Sequence, residues 1–146
     1  MKIRVGNILS VDQGIIAHGC NSRGVMNSGV AGQLRKVYPQ IYEPYGRDPR
    51  LLGTMTLVKV SPYLFVANLI TQKDYGRHPA MVYVNYDALD MAMEILKATA
   101  GDTHTVHFPM IGGGLGNGDK QRILKIMERH FPGDEGNLWL LDENDV

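Results

Sequence analysis

Two glycine clusters constrain this chain more than any other feature of its sequence. GVMNSGVAGQLRKVYP, residues 24–39, passes from small residues straight into a helix-like pattern, and MIGGGLGNGD, residues 110–119, lies between a strand-like run and another helix-like one. A helix start carries unpaired N–H groups and the positive end of a dipole, so glycines there let an anion approach the backbone. In open α/β sheets such loops gather beyond the carboxyl ends of strands, where ligands bind. Two clusters in matching positions therefore predict a layered α/β fold with an anion site. The competing reading, turns that need positive φ, accounts easily for one cluster and poorly for two. Neither cluster is a known phosphate fingerprint. Asp119 stands where a P-loop needs its lysine, and residues 112–117 lack the last glycine of a dinucleotide motif.

The remaining pattern fits that architecture. Apolar alternation and β-branched residues predict strands over 3–5, 14–20, 54–61, 64–71, 105–109 and 138–142. Val30, Ala31, Leu34, Tyr38, Ile41 and Tyr42 keep a helical stripe that Pro39 breaks into a helix and a following turn. A second helix starts at an Asn85 cap and buries Leu89, Ala92, Met93 and Leu96. A third starts near Asp119 and buries Ile123, Ile126 and Met127 before Pro132 stops it. The order β, β, α, β, β, α, β, α, β implies a three-layer α/β/α domain with a mixed central sheet.

Composition limits what can bind. At 146 residues, 44% hydrophobic and 21% charged, the chain is expected to form a single domain over residues 1–146. Its 15 basic and 15 acidic side chains cancel, which argues against a general grip on nucleic acid or on a membrane surface. A bound anion must then be held by local geometry. One cysteine leaves no internal disulfide framework, and no apolar run approaches a membrane span or signal peptide. A cytoplasmic protein is expected. His104 and His107 fall on opposite faces of a strand and make a poor metal pair, so neither metal nor cofactor is expected.

GNI near the start, IIAHGCNSRGVMNSGVA, VANLITQKDYGR and PMIGGGLG occur in this order. Together they resemble the macro domain family, the ADP-ribose-binding fold, over about residues 3–142. The likeness is to the branch of small stand-alone members that includes ADP-ribose-1''-phosphatases, terminal-ADP-ribose glycohydrolases and phage Appr-1-p processing proteins. What the resemblance implies can be placed residue by residue. Asn7 and Ile8 fall where the family meets adenine, with an amide in place of its usual carboxylate, and Asn21 falls near the distal ribose. Asn27, Ser28, Gly29, Val30 and Ala31 match the loop beside the diphosphate and distal ribose. Ile111, Gly112, Gly113, Gly114, Leu115 and Gly116 match the second phosphate loop, and Leu141 takes a position against adenine.

The resemblance also implies chemistry at the distal ribose. The phosphatase branch points to His18 as general acid and Asp74 as general base or water-positioning group. By residue type alone, His18 is equally a core histidine and Asp74 equally a turn residue, and the sequence leaves both open. The lysine and aspartate of the glycohydrolase branch align with Gln72 and Gly116, with Lys73 one place along and Asp119 three. One residue at a strand end turns a side chain to the opposite face, so a lysine mechanism is not expected. Cys20 reads as a buried, inert thiol. Tyr75 and Arg77 either edge the distal pocket or lie on a solvated loop. The expected partner is ADP-ribose or a derivative, such as ADP-ribose-1''-phosphate, or an ADP-ribosylated macromolecule. A non-catalytic reader of ADP-ribose is the alternative to a hydrolase.

Overall fold

Runs of β-branched and apolar residues with few breakers form the strands of the computed structural model, which describes residues 1–142 and 144. They are β1 (Lys2–Val5), β2 (Gly14–Asn21), β3 (Met55–Ser61), β4 (Leu64–Gln72), β5 (Val106–Phe108) and β6 (Gly136–Leu140). The helices are α1 (Gly29–Val37), α2 (Tyr42–Arg47), α3 (Tyr86–Ala100) and α4 (Lys120–His130). Among the described residues the strands form one six-stranded sheet in the order β1-β6-β5-β2-β4-β3. Only the β3–β4 pair is antiparallel; the other neighbours run parallel.

Strand alternation sends two apolar sets to opposite faces. Along β2, Ile15 and Ala17 join a core with α3 and α4, whereas Ile16 and Cys20 join another with Met26, Leu34 of α1 and Tyr45 of α2. The α/β/α layering follows. On α3, Leu89, Ala92, Met93 and Leu96 are fully buried at helical spacing, and large apolar side chains of this kind each contribute about 1.5–3 kcal/mol by leaving water. Asn85 caps this helix by accepting from the Ala88 N–H, and Asp119 caps α4 by accepting from the N–H groups of Gln121 and Arg122. Among the described residues no helix is long and apolar enough to cross a membrane.

Two boundaries differ from the sequence reading. The chain after Pro39 forms a 3-10 turn, Pro39–Ile41, and then a further helix, α2, where a turn is expected. Pro44 lies in the first turn of α2, where a missing N–H costs little, and buried Tyr45 anchors the helix. The last strand runs over Gly136–Leu140, two residues earlier than expected. Gly136 belongs to it because a Cβ there would lie 2.9 Å from Phe131 Cβ at the end of α4.

The topology creates the opening that matters. β2 and β5 are parallel neighbours, yet β2 leads to α1 over one face and β5 leads to α4 over the other. The two exit loops therefore part above the carboxyl ends of these strands, the arrangement that makes ligand crevices in open sheets.

Candidate functional site

A cleft of about 300 Å³ occupies this split. Its floor is the end of β2, from His18 to Asn21; one wall is the α1 start, with Asn27, Ser28, Gly29, Val30 and Ala31. The opposite wall is the β5–α4 loop, with Ile111, Gly112, Gly114, Leu115 and Gly116, and Gln72, Tyr75 and Gly76 border the remaining side. Both glycine clusters thus face each other across one space. Among the described residues neither Lys nor Arg lines it, and neither does Asp or Glu.

Local chemistry explains the walls. Ser28 is the N-cap of α1 but makes no side-chain cap bond, and no acidic residue occupies the first turn. The N–H groups of that turn and the helix dipole are therefore offered to the cleft. Gly29 has φ +61°, and a Cβ on it would stand 3.4 Å from the Leu115 side chain on the opposite wall. Gly112, at φ +77°, could not carry a side chain either, since a Cβ would lie 2.5 Å from Val84. The second loop closes on itself through the Gly118 N–H, which donates to the Gly112 carbonyl at 2.7 Å. Of the expected loop residues, Gly113 alone does not line the cleft; its hydrogen-only side faces Met110.

Asn21 lines the cleft and also builds it. Its Oδ1 accepts from the N–H groups of Arg23 (3.1 Å) and Val25 (3.2 Å) and from the Tyr45 hydroxyl (3.0 Å), while its Nδ2 donates to the Val25 carbonyl (2.8 Å). This Asx turn sets the chain on its path to α1. Arg50 secures the same loop from outside, donating to the carbonyls of Ser22 (3.0 Å) and Gly46 (2.6 Å). Sequence reasoning missed Tyr45 and Arg50, whose partners are more than 20 residues away or in a helix it did not expect.

His18 sits under the cleft, 1% exposed. The Asn68 amide donates to the Ile41 carbonyl and to Thr56 Oγ1, both at 3.0 Å, so its oxygen faces His18 Nε2 at 2.6 Å and fixes the proton on that nitrogen. His18, Asn68 and Thr56 are register partners across three strands, a polar row on one face of the sheet. Burial lowers the His18 pKa to about 4, against the opposing effect of the Asn68 hydrogen bond. The ring is thus neutral at pH 7, with its one N–H engaged. This environment does not suit the general acid role expected for it, because the ring has no free proton to deliver. Cys20, 3.8 Å from the ring nitrogens, is buried and its thiol pKa is raised strongly by desolvation, which fits the inert thiol expected.

Asp74 does not meet His18. It follows the end of β4, and its carboxylate accepts from Arg23 Nε at 2.6 Å in an ion pair exposed on both sides. Its immediate neighbour Tyr75 lines the cleft; Asp74 does not. The expected acid is therefore buried in the cleft floor, while the expected base is exposed in an ion pair outside the lining.

The expected adenine residues also stand outside the enclosed cleft, at the carboxyl ends of β1 and β6. Val5 pairs with Leu140, and the Gly6 N–H donates to the Leu140 carbonyl at 2.8 Å, which brings the 7–8 segment beside Leu141. Asn7 Oδ1 accepts from the Leu9 N–H at 3.0 Å and caps a short turn. Ile8 is buried in the core, and Leu141 is 77% exposed.

Fold and site together define a class: an open α/β sheet with a glycine-walled cleft at the carboxyl ends of its parallel strands. No protein-family model matches the chain. An uncharacterized 17.5 kDa protein of Enterobacteria phage T4 is 33% identical over 129 residues, covering 79% of this chain and 78% of the phage protein. A protein of Scheffersomyces stipitis named ADP-ribose 1''-phosphate phosphatase is 30% identical, covering 69% of this chain and 74% of its own length. A macrodomain protein from Streptomyces coelicolor superposes with a TM-score of 0.79 at 25% identity, over 95% of this chain and 97% of that one. The chain belongs to the macro domain family.

Proposed function

We propose that this chain binds ADP-ribose in the glycine-walled cleft and hydrolyses a group carried on the distal ribose, with ADP-ribose-1''-phosphate as the preferred substrate. The observation that carries this reading is the meeting of two glycine loops across one cleft at the split between β2 and β5. With no basic side chain lining that cleft, backbone N–H groups and the α1 dipole supply the field for a diphosphate. The Scheffersomyces stipitis relative named as a phosphatase supports the choice of phosphate as the group removed.

Asn7, Ile8 and Leu141 would border adenine, the α1 start and the 111–116 loop the diphosphate, and Asn21 the distal ribose. Asp74 is the group assigned to water. It takes a proton as the water oxygen bonds to phosphorus; the bond from phosphorus to the ribose oxygen breaks, and that oxygen gains a proton from solvent. His18 holds the floor through Asn68.

Calorimetry with ADP-ribose and phosphate release from ADP-ribose-1''-phosphate test this directly. Asp74→Asn is expected to lower turnover by about 10²-fold, the usual size of a lost general base, with little change in ADP-ribose affinity. Full turnover in that variant overturns the role of Asp74. That no Asp or Glu among the described residues lines the cleft favours a second reading, a binder without turnover. Tight ADP-ribose binding, with no phosphate released and no ADP-ribose released from modified protein or nucleic acid, would establish it.

A further inference from the structure

The Arg23–Asp74 pair offers more than a rim contact. Arg23 lies on the loop after β2 and Asp74 on the loop after β4, and these loops are already joined without their side chains. The Ser22 N–H donates to the Gln72 carbonyl, the Ser22 hydroxyl donates to the Lys73 carbonyl, both at 2.9 Å, and the Arg23 N–H donates to Asn21 Oδ1 at 3.1 Å. The Arg23 backbone is fixed while its guanidinium, 56% exposed, reaches a carboxylate that is itself 48% exposed. Exposed pairs of this kind contribute little to stability and exchange partners readily. The ion pair is therefore dispensable for the shape of the mouth.

Its position gives it another use. Arg23 adjoins cleft-lining Asn21 through its own N–H, and Asp74 stands between cleft-lining Gln72 and Tyr75. The diphosphate has backbone donors on both walls, but a third phosphate on the distal ribose would meet no cation in the lining. An arginine whose backbone is anchored on cleft-lining Asn21 can hold such a phosphate with two parallel hydrogen bonds, a stronger arrangement than its single bond to an exposed carboxylate.

The geometry points to Arg23 as a phosphate-capturing residue at the distal mouth: it selects ADP-ribose that carries a phosphate on its distal ribose and, in turning to that phosphate, releases Asp74 to face water. This rests on the reading of the cleft as an ADP-ribose site. The carboxylate is then held in an ion pair until a phosphate-bearing substrate arrives, and unphosphorylated ADP-ribose leaves the pair closed.

Stopped-flow displacement of a bound fluorescent ADP-ribose analogue reads affinity before turnover. Wild type is expected to bind ADP-ribose-1''-phosphate at least about tenfold more tightly than ADP-ribose, as befits a two-bonded charged pair replacing an exposed single-bonded one. Arg23→Gln is expected to erase that preference while leaving ADP-ribose affinity within about twofold, and Arg23→Lys to restore part of it. In steady state the Gln variant should show a raised KM for the phosphorylated substrate. Equal affinities in wild type, or a preference that survives Arg23→Gln, overturn the inference. Failure of wild type to bind ADP-ribose at all overturns the reading of the cleft itself.

Discussion

At His18 two opposing effects meet, and burial is the larger. The Asn68 oxygen favours the protonated ring, but complete desolvation lowers the pKa from 6.5 to about 4. The unfolded chain then binds a proton that the folded chain refuses, so stability is present above pH 6.5 and is lost as pH falls toward 4. At 1.36 kcal/mol per pKa unit the loss is about 3 kcal/mol over that window. Urea unfolding at pH 7.5 and pH 4.5 should show it in wild type and show much less in His18→Gln, whose amide can still donate to Asn68. An equal decline in both would place the pH dependence elsewhere. The same residue marks the limit of sequence reading: its place on a strand was legible, but only the cross-strand partners decide between proton donor and core histidine. Asn68 and Thr56 lie 50 and 38 residues away, and nothing local to His18 names them.

At the scale of elements, the two walls were legible because glycine between a strand and a helix carries a local meaning. The Asn85 cap and the helix start near Asp119 were legible because Asn or Asp before an apolar helical stripe also carries a local meaning. What escaped was built from non-local or interrupted signals: α2 has two prolines nearby and a glycine within it, and Gly136 and Asn137 open β6 with residues that favour turns. A wall element also gives the sharpest test of the cleft. Gly29→Glu would add a strained side chain at φ +61° facing Leu115 across the cleft, and a carboxylate where the proposed diphosphate would lie. Clash and repulsion together cost several kcal/mol as an order of magnitude. ADP-ribose affinity should fall by at least about 10²-fold, with the circular dichroism spectrum retained. A folded variant with unchanged affinity would move the ligand away from α1.

At the scale of the molecule, the cleft lies between the two helix layers that cover opposite faces of the sheet. Its α1 wall leads into the core that contains Leu34 and Tyr45, and its 111–116 wall leads into the core that contains Ile111 and Ile123. A ligand held by both walls binds only when both layers are in place, so it should stabilise the whole fold and not one loop. At a concentration of 100 times its Kd, a ligand specific for the folded state adds about 2.7 kcal/mol, and for a chain of this size each kcal/mol raises Tm by about 2–4 °C. ADP-ribose is therefore expected to raise Tm by about 5–10 °C in a single transition. Adenosine, which lacks the diphosphate that bridges the walls, should give little shift. Asp74→Asn should keep the full ADP-ribose shift, because Asp74 is assigned to water and not to the nucleotide, whereas Gly29→Glu should lose it. A shift of similar size from adenosine alone would mean that the glycine walls are not what holds the ligand.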